Sequence, residues 1–233
     1  MKKRSWFVAA IAAAATAAVT ACALVAAPSD ATTPASYGKA GVFKTAADYG
    51  NQTVDWNNCG TDLFCGKVIV PMDWNKPSGA TIQLAVINHR ASVANPLGSI
   101  IFNPGGPGAS GYDFVKESVS AIGTKALRAN YNLVGFDPRG VQNSVPAVRC
   151  YVKDSNTPSP EMDTFLYGDS GYPLGSKKDL AVTRLAIKSF DEACLKNTGP
   201  LLGHLDTVST AKDLDVLRAV MGDTKLNYLG FSY

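Results

Sequence analysis

The sequence predicts an α/β fold built on a mostly parallel sheet, with an antiparallel β-meander at its edge. Three observations lead there. From about residue 98 onward, apolar runs of strand length alternate with stretches of helical spacing. Those runs lack the in-out alternation of a half-exposed sheet, as expected where helices cover both faces. Ahead of them, residues from about 53 to 89 carry strand-like runs separated by turn chemistry alone.

The 233 residues are enough for one sizeable core. The formal net charge is +3, and Lys2, Lys3 and Arg4 alone supply that much, so the remainder is close to neutral. No basic stripe interleaved with aromatics occurs, which argues against a nucleic-acid partner. The first two dozen residues read as an export signal. Lys2-Lys3-Arg4 is its positive start, Ser5 to Thr20 its Ala-rich apolar stretch, and Ala21, Cys22 and Ala23 the small residues that follow. The apolar stretch is short and weakly hydrophobic for a stable membrane span. Val19-Thr20-Ala21-Cys22 resembles a bacterial lipobox, in which the peptide is cut before the cysteine and that cysteine carries lipid. A simple cut after Ala27 or Ala31 competes with it. The protein is therefore expected either secreted or lipid-anchored through Cys22 at the outer face of the bacterial cell membrane.

Export decides how the remaining cysteines are read. Cys59, Cys65, Cys150 and Cys194 are an even number, which in an exported protein suggests two disulfides. Of the three connectivities, local pairing is favoured: Cys59 with Cys65, and Cys150 with Cys194. The second would close a long loop and stabilise by roughly 4 kcal/mol on the loop-entropy account. The spacings are wrong for a zinc knuckle, with only His89 and His204 to assist, so no metal is expected.

In the meander, Lys67 to Pro71 and Thr81 to Ile87 are strands, and Asn75-Lys76-Pro77-Ser78-Gly79 is a turn. Gly98 to Asn103 reads as a buried strand, followed by a glycine-rich loop to Gly111 and helical spacing from Tyr112 to Leu127. Tyr131 to Phe136 is a second buried strand. Asp154 to Lys177, rich in Ser, Pro, Gly and Asp, is an excursion. Lys178 to Lys196 is an amphipathic helix with Leu180, Leu185, Ile187 and Phe190 among its apolar positions. Ser209 to Met221 is another, with Thr207, Ser209 or Thr210 as candidate caps and Gly222 at the C′ position. Leu226 to Tyr233 is a strand running into a turn.

Two segments carry chemistry. Gly230-Phe231-Ser232-Tyr233 supplies the first four positions of Gly-x-Ser-x-Gly at the end of a buried strand, where a nucleophile elbow belongs. So tight a turn tolerates no bulky side chain two residues before the serine. Asn103-Pro104-Gly105-Gly106-Pro107-Gly108 follows the Ile100-Ile101-Phe102 strand and suits an oxyanion loop, in which glycine lets a backbone N–H approach the developing charge. The residue after the nucleophile, Tyr233, would donate the second N–H. A phosphate loop fails for want of Gly-Lys-Ser/Thr, and Pro104 and Pro107 remove donors that a dinucleotide would need. Asp137-Pro138-Arg139-Gly140 reads as a structural turn whose Asp–Arg pair could brace the loops beneath the site.

These motifs, with Val134 to Gly140, Thr207 to Asp215 and Asn227 to Tyr233 in that order, resemble the tripeptidyl aminopeptidase branch of the α/β-hydrolases, known from actinobacteria and related to the prolyl aminopeptidases. The resemblance runs from about Cys59 to the last residue. It implies Ser232 as nucleophile, Gly106 (beside Gly105) and Tyr233 as oxyanion donors, and a serine exopeptidase acting on peptides with free N-termini, without cofactor. The chain then divides into an export signal over 1–22, a linker over 23–50 and a partial α/β-hydrolase domain over 51–233.

In this fold the triad order is Ser, Asp, His, and a cap and the last strands follow the elbow. Nothing follows Tyr233 here, and His89 and His204 precede the nucleophile, each expected to be structural or exposed. The chain taken alone is therefore expected to lack a complete triad, to be inactive and poorly stable, and to leave an open apolar sheet edge that aggregates or recruits a partner. An esterase or lipase would share the same elbow and loop. A non-catalytic exported fragment is the reading from a different class, and the oligomeric state is open.

Overall fold

The computed structural model describes residues 43–150 and 170–232. The export signal with Cys22, most of the 23–50 linker, most of the 154–177 excursion and Tyr233 lie outside the described residues. In chain order the elements are α1 (Ala46–Gly50), β1 (Asn57–Gly60), β2 (Leu63–Pro71), β3 (Thr81–His89), β4 (Ser99–Asn103), α2 (Gly111–Ser118), α3 (Lys125–Asn130) and β5 (Asn132–Phe136). After them come α4 (Lys177–Thr198), a 3₁₀ helix (Gly199–His204), α5 (Thr207–Val220) and β6 (Tyr228–Gly230).

The strands form one mixed sheet in the order β1-β2-β3-β5-β4-β6. The first three are the antiparallel meander, β3 joins β5 antiparallel, and β4 lies parallel to both β5 and β6. Side-chain parity explains why the strands read as unbroken apolar runs. Ile82, Leu84, Val86, Ile101, Val134 and Phe136 enter one cluster, which Tyr49 of α1, Leu201 of the 3₁₀ helix, and Val216 and Leu217 of α5 complete. Ile87, Phe102 and Leu133 point the other way, into a second cluster with Val115 of α2 and Ile122. Both faces are covered, so both parities are apolar. Tyr49 is fully buried although α1 falls inside the segment expected to be linker.

Several expectations need correction. The predicted helix from Tyr112 to Leu127 is two: α2 ends at Ser118, and Thr124 restarts the chain as the N-cap of α3 by accepting the Leu127 N–H. In α4 the buried positions are Asp179, Cys194 and Thr198, while Leu180, Leu185 and Ile187 are exposed. The cap of α5 is none of the three hydroxyl residues named but Asp206, whose carboxylate accepts the Ser209 N–H at 2.9 Å and the Ser209 hydroxyl at 2.7 Å. Gly222 does follow the C-cap Met221, with φ of 78°. The disulfides pair locally, Cys59 with Cys65 and Cys150 with Cys194.

The helix that carries the glycine loop into the sheet approaches it closely. A Cβ on Gly135 of β5 would strike the Gly111 carbonyl and lie 2.8 Å from Val115 Cγ2. Gly135→Ala is therefore expected to push α2 off the sheet and cost roughly 1–3 kcal/mol, as overpacking does. Urea denaturation of the variant against wild type measures it, and an unchanged midpoint would contradict the close approach.

Candidate active site

The parallel pair β4 and β6 builds the site. Register sets Asn103 opposite Gly230, so both strands end at the same level and their following loops leave side by side. After β4 the chain continues to β5 on one side and later returns to β6 on the other. Ligands of open α/β sheets bind at such reversals, outside the carboxyl ends of the strands. The register is held at the opposite end by side chains. Asp223 accepts the Ser99 N–H at 3.0 Å, and Asn227 Nδ2 donates to the Ser99 carbonyl at 3.0 Å.

Ser232 follows two residues after Gly230 with φ of 57°, in the left-handed region. Few non-glycine residues adopt it, and where they do the surrounding structure imposes it. The serine is exposed. Phe231, just before it, donates its N–H to the Asn103 carbonyl at 2.9 Å and sets its ring 5.7 Å from that of Phe114 on α2.

Across from the serine, the glycine loop turns back on itself. The Gly105 N–H donates to Asn103 Oδ1 at 2.9 Å, and the Ala109 N–H to the Gly105 carbonyl at 3.4 Å. Gly106 has φ of 126°, and a Cβ there would sit 2.8 Å from the amide nitrogens of Gly108 and Ala109. Its own N–H makes no hydrogen bond among the described residues, and the residue is exposed. Such an N–H is available to an anionic oxygen.

At its exit the loop is tied by Ser110, the N-cap of α2, which accepts the Asp113 N–H and donates its hydroxyl to Asp137 Oδ1 at 2.6 Å. The Asp137 carboxylate is fully buried and also accepts the Tyr112 N–H at 3.2 Å and both the backbone N–H and Nδ2 of Asn143 at 2.9 Å. Tyr112 in turn points its hydroxyl at Cys65 Sγ, 2.7 Å away, and burial pushes its phenol above the usual range.

The expected Asp137–Arg139 pair does not form. The turn sends the two side chains to opposite faces of the sheet, Asp137 to α2 and Arg139 to α5. There Arg139 meets Asp213 through two hydrogen bonds of 2.8 and 2.6 Å. Its other N–H groups reach the carbonyls of Pro71, Met72 and His204. Sequence reading missed Asp213, yet one signal was present: it shares a helical stripe with the apolar Val216, Leu217 and Val220.

Neither histidine is hydrogen-bonded to Ser232. His89 pairs with Leu133 near the start of β5, at the end of the sheet away from Ser232. His204 lies in the 3₁₀ helix, where its carbonyl serves Arg139. No group of three His, Cys, Asp or Glu residues placed to hold a metal occurs among the described residues.

No protein-family model matches the chain. Comparison with curated proteins finds relatives. The chain is 39% identical over 204 residues to a tripeptidyl aminopeptidase of Streptomyces coelicolor, covering 83% of this chain and 36% of that protein. It is 35% identical over 195 residues to serine protease Hip1 of Mycobacterium tuberculosis, covering 78% and 35%. It is 34% identical over 175 residues to carboxylesterase B of the same organism, covering 70% and 32%. The chain thus spans about a third of the length of these relatives. These relatives are by name a peptidase, a protease and an esterase, all of them hydrolases. Over that third of their length, the chain is similar to the tripeptidyl aminopeptidase-like serine hydrolases.

Proposed function

We propose that this chain carries the nucleophile and oxyanion loop of an exported serine exopeptidase of the α/β-hydrolase fold, which releases short peptides from free N-termini. The observation that carries the reading is the left-handed backbone of Ser232 at the end of β6, because a nucleophile elbow needs a strained strand-end turn to lift its serine out of the sheet. In this mechanism Ser232 Oγ bonds to the scissile carbonyl carbon while its proton passes to a base. The carbonyl oxygen takes the negative charge, held by the N–H groups of Gly106 and Tyr233. The C–N bond then breaks, the amine leaves with the proton, and water hydrolyses the acyl-enzyme. In this fold the Asp and His of the triad come after the serine in chain order. Neither of the described histidines meets Ser232, so the base lies outside the described residues. The Lys2 to Cys22 segment supports export, with lipid attachment at Cys22 or free secretion as its two outcomes. Relatedness to a carboxylesterase supports a second reading, an esterase using the same elbow and loop.

A fluorophosphonate probe followed by peptide mass spectrometry tests the first claim. Label is expected on Ser232 in the full-length protein that carries this chain, and an unlabelled Ser232 removes the serine-hydrolase reading. A panel of tripeptide amides with free or acetylated N-termini, alongside simple esters, tests the second. Cleavage confined to free N-termini supports the exopeptidase, and cleavage of esters alone the esterase.

A further inference from the structure

We propose that Asn103 is the positioning residue that keeps the Gly106 N–H in register with the Ser232 elbow. The inference rests on the hydrolase reading above and goes beyond it by assigning a role to a residue that does not touch the reacting atoms. Two hydrogen bonds carry it. The Asn103 carbonyl accepts from the N–H of Phe231, the residue before Ser232, at 2.9 Å. Its side-chain Oδ1 accepts from the N–H of Gly105, the residue before Gly106, at 2.9 Å. One residue therefore grips both halves of the site, each one residue from the atom that matters.

The two grips differ in kind. The carbonyl bond continues the β4–β6 ladder and survives any side chain at this position. The Oδ1 bond is an Asx turn, a side-chain copy of a backbone turn, and only an acceptor at this reach can make it. Asparagine is otherwise a poor choice for the last residue of a strand. Beyond it, Gly105 and Gly106 have no side chains with which to anchor themselves, and glycine has the greatest freedom to lose. Without Oδ1, the buried Gly105 N–H is left unpaired and the following peptide is free to turn. An oxyanion donor acts only when it is already aimed, and deleting one outright lowers kcat by about 10²–10³. Misaiming Gly106 is expected to lower kcat by about 10–100-fold, a fraction of that loss.

The test compares wild type, Asn103→Leu and Asn103→Ser in the full-length protein carrying this chain. Leucine matches the shape without the acceptor, and serine restores a shorter, uncharged one. Steady-state kinetics are read on whichever substrate the wild type turns over, with binding of a dipeptidyl trifluoromethyl ketone and thermal unfolding alongside. Ser232 Oγ adds to that ketone, its proton passes to the base, the ketone oxygen becomes the oxyanion and nothing leaves. The expected result is a fall in kcat with KM unchanged for Asn103→Leu, an equal loss of ketone affinity, and partial recovery of both in Asn103→Ser. The proposal is overturned if Asn103→Leu keeps kcat within twofold of wild type. A fall in kcat that follows a fall in melting temperature and is not recovered by serine also overturns it. If wild type itself takes no fluorophosphonate on Ser232, the hydrolase reading fails first, and the two failures are told apart by that control.

Discussion

Ser232→Ala is expected to abolish turnover by the full-length protein, with kcat falling by about 10⁴–10⁶, the range seen when an acyl-transfer nucleophile is removed. The fold should persist, since the serine is exposed and lies beyond the last residue of β6. Ser232→Gly sharpens the result. It removes the same hydroxyl but also relieves the positive φ, which glycine tolerates without a steric penalty. That variant should be as inactive as the alanine one, yet more stable by about 1 kcal/mol. Kinetics with active-site titration, beside urea denaturation of all three proteins, measures both effects. Activity of Ser232→Ala within tenfold of wild type would remove Ser232 from the nucleophile's role.

The largest structural effect is expected at the Arg139–Asp213 pair. Both side chains are almost wholly buried, and every N–H of the guanidinium has an acceptor. Burial pushes the Asp213 carboxyl upward, and hydrogen bonds from Arg139 and Trp74 pull it back. Asp213→Leu leaves the cation buried without its counter-charge and should cost about 3–5 kcal/mol. The double variant Arg139→Met with Asp213→Leu should recover a large share of that loss, because two matched apolar side chains remove the unpaired charge altogether. Chemical denaturation of the single and double variants decides it. A single variant less than about 1 kcal/mol below wild type would mean that the pair does not hold α5 to the sheet.

Legibility in the sequence followed distance along the chain. The ends of β4, β5 and β6, where the glycine loop, the Asp137 to Gly140 turn and the left-handed Ser232 fall, are each set by a few adjacent residues and could be read locally. The Cys59–Cys65 bridge, six positions long, was legible for the same reason. What escaped was settled by packing. Asp137 and Arg139, two residues apart, looked like partners. The sheet between them sends one to Ser110 and the other to Asp213, 74 positions downstream. Helical spacing continued past Ser118 in the sequence, but Thr124 offered a new cap and the helix divided. In α4 the apolar residues marked a face that the described residues leave exposed, while Asp179 is buried and accepts hydrogen bonds from the Ser170 hydroxyl and the Gly175 N–H. Asn103 was read as the first letter of a motif. Its task became visible only when β6 lay beside it.

The Cys150–Cys194 bridge has a consequence for proteolysis. Its cysteines lie 44 positions apart, and the bridge makes the chain from one to the other a closed covalent ring. A single cut anywhere between the two cysteines opens the ring but releases no fragment. Residues 1–150 and the stretch from 194 through Ser232 stay attached through sulfur. The glycine loop N-terminal to the cut and Ser232 C-terminal to it would thus travel as one molecule until a reductant separates them.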